Sequence, residues 1–110
     1  MTPEEIVTSV FARVRAHDPA VAQLYAEDAV LHHDYGHESF HGRAAIEAFY
    51  RTVFVRNPQP QVAALFVHLP TVAALLDVEQ PDGEKRQVVD VFQVEDGFIR
   101  EMRVCDGSPG

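Results

Sequence analysis

Apolar residues recur at helical spacing in the first half of the chain and at strand spacing in the second. Thr2, Pro3 and Glu5 form a capping-box pattern with proline at the first helical position, and Ile6, Val7, Val10, Phe11 and Val14 then share one face. This predicts an amphipathic helix ending near His17. Asp18 and Pro19 repeat the start signal, and Val21, Ala22, Leu24 and Tyr25 predict a short second helix that stops at Glu27 and Asp28. Ala29 to Asp34 reads as a short strand and Tyr35 to Gly42 as a histidine-containing loop. Ile46, Phe49, Tyr50, Val53 and Phe54 predict a third helix from Arg43 to about Val55, closed by Asn57, Pro58 and Pro60.

From Val62 onward the period changes. Val62 to Leu69, Val72 to Glu79, Arg86 to Val94 and Phe98 to Cys105 are β-rich runs, and Pro81-Asp82-Gly83 and Glu95-Asp96-Gly97 are hairpin signals between them. The order predicts an α+β fold in which three N-terminal helices pack on one face of a curved, mainly antiparallel sheet. With 110 residues, the chain holds a single domain over 1–110.

Seventeen acids against nine bases give a net charge of −8, with no basic run to collect phosphates. Nucleic acid and anionic lipid are therefore poor partners. Cys105 is the only cysteine, which excludes an internal disulfide and fits a reducing compartment. The start, MTPEEIVTSV, carries acids where a signal peptide needs bases, and no apolar run approaches the roughly 18 residues of a membrane span. A soluble, cytoplasmic protein without membrane partners is the expectation.

The stretch LYAEDAVLHHDYGHESFHGRAAIEAFY, residues 24 to 50, resembles the signature segment of the ketosteroid isomerase and SnoaL-like polyketide cyclase group of the nuclear transport factor two-like superfamily. The last hairpin is similar too, in Val89-Asp90-Val91-Phe92, Glu95-Asp96-Gly97, Ile99 and Glu101. The resemblance implies a cone-shaped α+β barrel, cystatin-like or nuclear transport factor two-like, with an apolar pocket between helices and sheet. It places the family's general base on His33, with Asp34 one position later. The buried aspartic acid that donates to an oxyanion falls on Asp90, and Tyr25 and Tyr50 fall on tyrosines of the pocket network. The oxyanion tyrosine of the first helix falls near Val10 or Phe11, which cannot donate. The superfold hosts isomerases, cyclases, dehydratases, epoxide hydrolases and binding modules.

The residues carry their own chemistry beside this. Asp90 alternates with Val88, Phe92 and Val94, and a carboxylate on an apolar face must be paired, hydrogen-bonded or protonated. It is either a neutral donor to a carbonyl oxygen, a base in apolar surroundings, or the partner of an arginine such as Arg100 or Arg103. His33 shares a strand face with Leu31, whereas His32 and Asp34 point the other way, so one of the adjacent histidines can look into a pocket. An imidazole there can take a proton at physiological pH. His32, His33, Asp34, His37, Glu38 and His41 lack a recognised ligand spacing, so no metal is expected. Tyr25 and Tyr50 belong to apolar helix faces. Phe11, Phe49, Phe54, Phe66, Phe92 and Met102 either line a cavity or fill a core. His68 reads as a core or interface histidine, and Cys105 lacks a cationic activator.

These readings converge on a small hydrophobic-ligand pocket and a cofactor-independent acid/base enzyme of the isomerase, cyclase or dehydratase type acting on a carbonyl compound. Catalysis would rest on His33 or Asp34 with Asp90, and ligand contact on Tyr25, Tyr50, Phe11, Phe49, Phe92 and Met102. The alternative is a non-catalytic binding or dimerisation module of the same fold. Epoxide opening would need an Asp-Arg-Asp arrangement that the sequence does not clearly present. A homodimer is expected because helices can cover only one face of a sheet that is apolar on both, leaving Leu65, Leu75, Val89 and Val91 outside.

Overall fold

The computed structural model describes residues 1–33, 37–79 and 82–106, with the side chain of Asp106 excepted. Helix α1, Pro3–Arg15, starts with the expected box: the Thr2 hydroxyl accepts from the Glu5 N–H and the Glu5 carboxylate accepts from the Thr2 N–H. Its face Ile6, Val7, Val10, Phe11 and Val14 is buried. The next segment departs from the expected second helix. A 3₁₀ helix covers only Pro19–Leu24, and strand β1, Tyr25–His33, begins four residues before the expected strand. Six residues are too few to sustain a helix on propensity alone, and Tyr25 instead pairs with Ile99 of a distant strand. Tyr25 therefore stands on a strand, not on a helix face.

Part of the expected loop is also a strand. β2, Glu38–His41, pairs antiparallel with β1, from Val30 opposite His41 to His33 opposite Glu38. Gly42 then adopts φ 90° and donates its N–H to Ala29 O at 2.8 Å, a conformation costly for any residue with a Cβ. It launches helix α2, Arg43–Arg56, which ends at Asn57 in the left-handed region.

Strands β3 (Gln61–His68), β4 (Thr71–Glu79), β5 (Lys85–Glu95) and β6 (Phe98–Asp106) form the antiparallel meander. β1 joins β6 in parallel, so the curved sheet runs β2-β1-β6-β5-β4-β3 with β2 and β3 as open edges. The helices lie against one face, and the core between them includes Ile6, Val10, Leu31, Ile46, Val72, Phe92 and Ile99. Phe11 meets Phe92 edge to face, with ring centroids 5.9 Å apart.

Among the described residues no helix covers the opposite face. Phe66 is 61% exposed and pairs with Ala73, which continues through Val91, while Leu75 continues through Val89. Phe66 is thus no cavity residue, and Leu65, expected outside, pairs with buried Ala74 and packs inward. His68 is exposed at the end of β3. No described helix is long and apolar enough to cross a membrane.

Candidate active site

The sheet register sets out the site in rows. Leu31, Met102, Phe92 and Val72 are successive partners across β1, β6, β5 and β4, and form an apolar floor. Two residues further along each strand, on the same face, the next row is His33, Val104, Asp90 and Ala74, with Asp90 opposite both Val104 and Ala74. His33 and Asp90 therefore stand two strand spacings apart, about 10 Å between backbones, with Val104 between them. Above this row is a cavity of about 330 Å³, within the range of small-ligand sites. Val10, Phe11 and Val14 of α1 and Phe49, Tyr50 and Val53 of α2 form its roof, and His33, Asp90, Met102 and Val104 line its sheet side.

Asp90 is the one buried charged residue among the described residues, 6% exposed, and its Oδ1 has no hydrogen-bond partner among them. Burial alone pushes its carboxyl up to about 7, so near neutrality a large fraction carries its proton. The arginine alternatives are engaged elsewhere. Arg100 meets Asp28 and Asp96, and Arg103 meets Glu101. The Tyr25 and Tyr50 hydroxyls are 2.6 Å apart in the interior. Burial raises both phenols far above their ordinary value, and the negative charge of Asp90 pushes the same way, so both remain neutral. Tyr50 faces the cavity, and Tyr25 holds it from behind.

His33 packs its ring against Phe49, centroids 5.2 Å apart, and its Nδ1 is buried without a partner among the described residues. His32 lies on the other strand face, against Ser39 Oγ at 3.0 Å and Glu101 at 3.5 Å. Asp34 lies outside the described residues. Among the described residues no cluster of three potential metal ligands occurs.

Phe11, Phe49, Tyr50 and Met102 thus line the cavity, but Phe92 and Tyr25 do not. Phe92 is fully buried beneath Phe11, and Tyr25 reaches the cavity only through the Tyr50 hydroxyl. Phe54 turns away to stack on His17. Sequence reasoning missed Arg56 and Arg86, which also line the cavity. The signal was present in the periodicity: Phe49, Val53 and Arg56 follow i, i+4, i+7, and Arg86 has the strand parity of Val88 and Asp90.

Comparison with known proteins bears on the whole chain. The family profile of the SnoaL-like domain matches residues 7–102. No curated protein matches the chain. Among solved structures, it is similar to the epoxide hydrolase/cyclase-like enzyme SalBIII, which has a role in pyran ring formation in the polyether salinomycin. That likeness has 27% identity and a TM-score of 0.84, over 96% of this chain and 90% of the other. A polyketide cyclase-like protein of Sinorhizobium meliloti is 18% identical with a TM-score of 0.81, over 91% and 93% of the two chains. A cystatin-fold protein of Novosphingobium aromaticivorans is 17% identical with a TM-score of 0.81, over 94% and 97%. The last two likenesses concern the fold.

Proposed function

The chain belongs to the SnoaL-like domain family, and from that premise we propose that it is a cofactor-independent acid/base catalyst of the cyclase or isomerase type, acting on a small apolar carbonyl compound. The observation that carries this reading is Asp90: a carboxyl buried in an apolar cavity, pushed up to about 7, with one oxygen that has no partner among the described residues. Such a carboxyl is a neutral donor for an oxygen on which negative charge develops.

In this mechanism the substrate lies over Val104, with its carbonyl oxygen at Asp90 and its α-carbon toward His33. The neutral His33 imidazole takes the α-proton, the C–H electron pair passes into the enolate, and the Asp90 O–H donates to the enolate oxygen. Tyr50, its hydroxyl oriented by Tyr25, adds a polar contact on the roof. With a conjugated dienolate the imidazolium returns the proton to the γ-carbon, giving an isomer; alternatively the enolate carbon attacks a second carbonyl, closing a ring, and the imidazolium gives its proton to the alkoxide formed.

The test is carbon-acid exchange. A β,γ-unsaturated cyclic ketone in D₂O, followed by NMR, should lose α-protons faster with the protein than in buffer. His33→Gln should slow this by about 10² or more and Asp90→Leu by about 10²–10³, in line with losing a base or an oxyanion donor. Equal rates for the wild type and both folded variants would refute the mechanism.

The bare outer face supports a homodimer. Phe66, Ala73, Leu75, Val89 and Val91 form an apolar strip that no element of the same chain covers among the described residues. Sedimentation at micromolar concentration should give about twice the 12.3 kDa chain mass, and Phe66→Asp should give the monomer.

A further inference from the structure

The mouth of the cavity differs in charge from its interior. Along α2 the cavity-facing residues run from Phe49 and Tyr50 through Val53 to Arg56, that is, from a buried phenol to an exposed guanidinium at the helix end. Six residues separate Tyr50 from Arg56, about 9 Å along the helix axis. Arg86 also lines this cavity, four residues from Asp90 on β5 and so about 13 Å along the strand. Both cationic residues of the cavity are displaced along their elements from the Tyr50 and Asp90 end toward more exposed positions. On a chain of net charge −8, Arg56 and Arg86 are the two cationic side chains that line this cavity among the described residues.

Arg56 also lines the neighbouring depression with His33, Phe49 and Thr52, and so overlooks both openings. The ion pairs among the described residues tie up Arg43, Arg51, Arg100 and Arg103 with acids, and none of them uses Arg56. A planar guanidinium at the rim of an apolar slot, with one edge in water, suits a carboxylate that keeps part of its hydration while its chain lies in the slot.

We infer that the cavity takes an elongated apolar compound bearing an anionic end, a carboxylate in the simplest case, held by Arg56 at the mouth while its carbonyl lies at Asp90. The proposal rests on the acid/base reading only for the position of the carbonyl. The helix sets the length: Arg56 stands about 9 Å along α2 from Tyr50 at the carbonyl end, and the reach of its side chain shortens this to leave room for an anion roughly four to six bonds from the reacting carbonyl. Arg56 is thus a specificity-determining residue, acting on binding rather than on the proton transfer.

The experiment uses 5-oxodecanoate and its methyl ester, with binding measured by calorimetry at low ionic strength. The wild type should prefer the acid by about fivefold, the scale of a partly exposed charge-assisted pair, and 0.5 M salt should erase most of that preference. Arg56→Gln should bind both probes with the affinity the wild type shows for the ester. Asp90→Asn should keep the preference, because it leaves the mouth intact. Equal wild-type affinity for acid and ester, or an undiminished preference in Arg56→Gln, would overturn the inference. Selectivity is read here without turnover, so it stands or falls separately from proton exchange, which His33→Gln and Asp90→Leu test.

Discussion

Asp77 and Asp90 sit on neighbouring strands of one sheet and differ mainly in the face they occupy. Asp77 points outward from β4, opposite Gln87, whose Nε2 donates to its Oδ1 at 3.2 Å. Asp90 points inward from β5 between Val88 and Phe92, where burial removes water and its Oδ1 finds no hydrogen-bond partner among the described residues. The same functional group is half-buried with a side-chain donor in one place and a proton-retaining acid in the other. Chemistry is assigned here by strand parity, one residue at a time.

The largest consequence concerns stability against pH. The unfolded Asp90 carboxyl loses its proton around its ordinary value of 3.8 and the folded one only near 7. Between these values the unfolded state gives up its proton first, so folding stability falls as pH rises and levels off above the folded value. A gap of about three pH units corresponds to at most about 4 kcal/mol. Urea denaturation at pH 4.5 and 7.5 should show the wild type losing stability in that interval by more than Asp90→Asn does. The variant should be as stable as the wild type or more so near pH 7. Strong destabilisation by Asp90→Asn at pH 7 would show an ionised, paired Asp90 instead.

What the sequence disclosed follows the same division. The Asp90 parity was legible because β5 is a long, unbroken alternation, and α1 was legible because its capping box is local. Tyr25 was misread because its strand partner, Ile99, is remote in the chain, and remote pairing leaves no local trace. Phe66 was open to misplacement because the β3 register shifts between Val62 and Ala64, which breaks simple alternation there. The short β2 lay within a polar loop pattern. Arg56 was overlooked because an arginine at a helix C-terminus already has an adequate reason to be there, in the helix dipole.

A smaller effect is expected at the tyrosine pair. Tyr50→Phe keeps the ring but leaves the fully buried Tyr25 hydroxyl without its partner, which should cost about 1–3 kcal/mol in chemical denaturation. Tyr25→Phe should cost less in proton exchange than Tyr50→Phe, since only Tyr50 reaches the cavity. The smallest effect belongs to the outward acid. Asp77→Asn should change stability by no more than about 0.5 kcal/mol, because Gln87 and water can serve the amide as they serve the carboxylate. A pH dependence in Asp77→Asn as altered as that of Asp90→Asn would dissolve the contrast between the two faces.

The most direct test is the titration of Asp90 itself. Carbon-detected NMR of the side-chain carboxyl carbons, with Asp90 assigned through its loss in Asp90→Asn, should show Asp90 with its midpoint near 7. A midpoint for Asp90 at or below 4 would mean an ionised carboxylate at neutral pH, and would contradict the account of this cavity as an acid/base site.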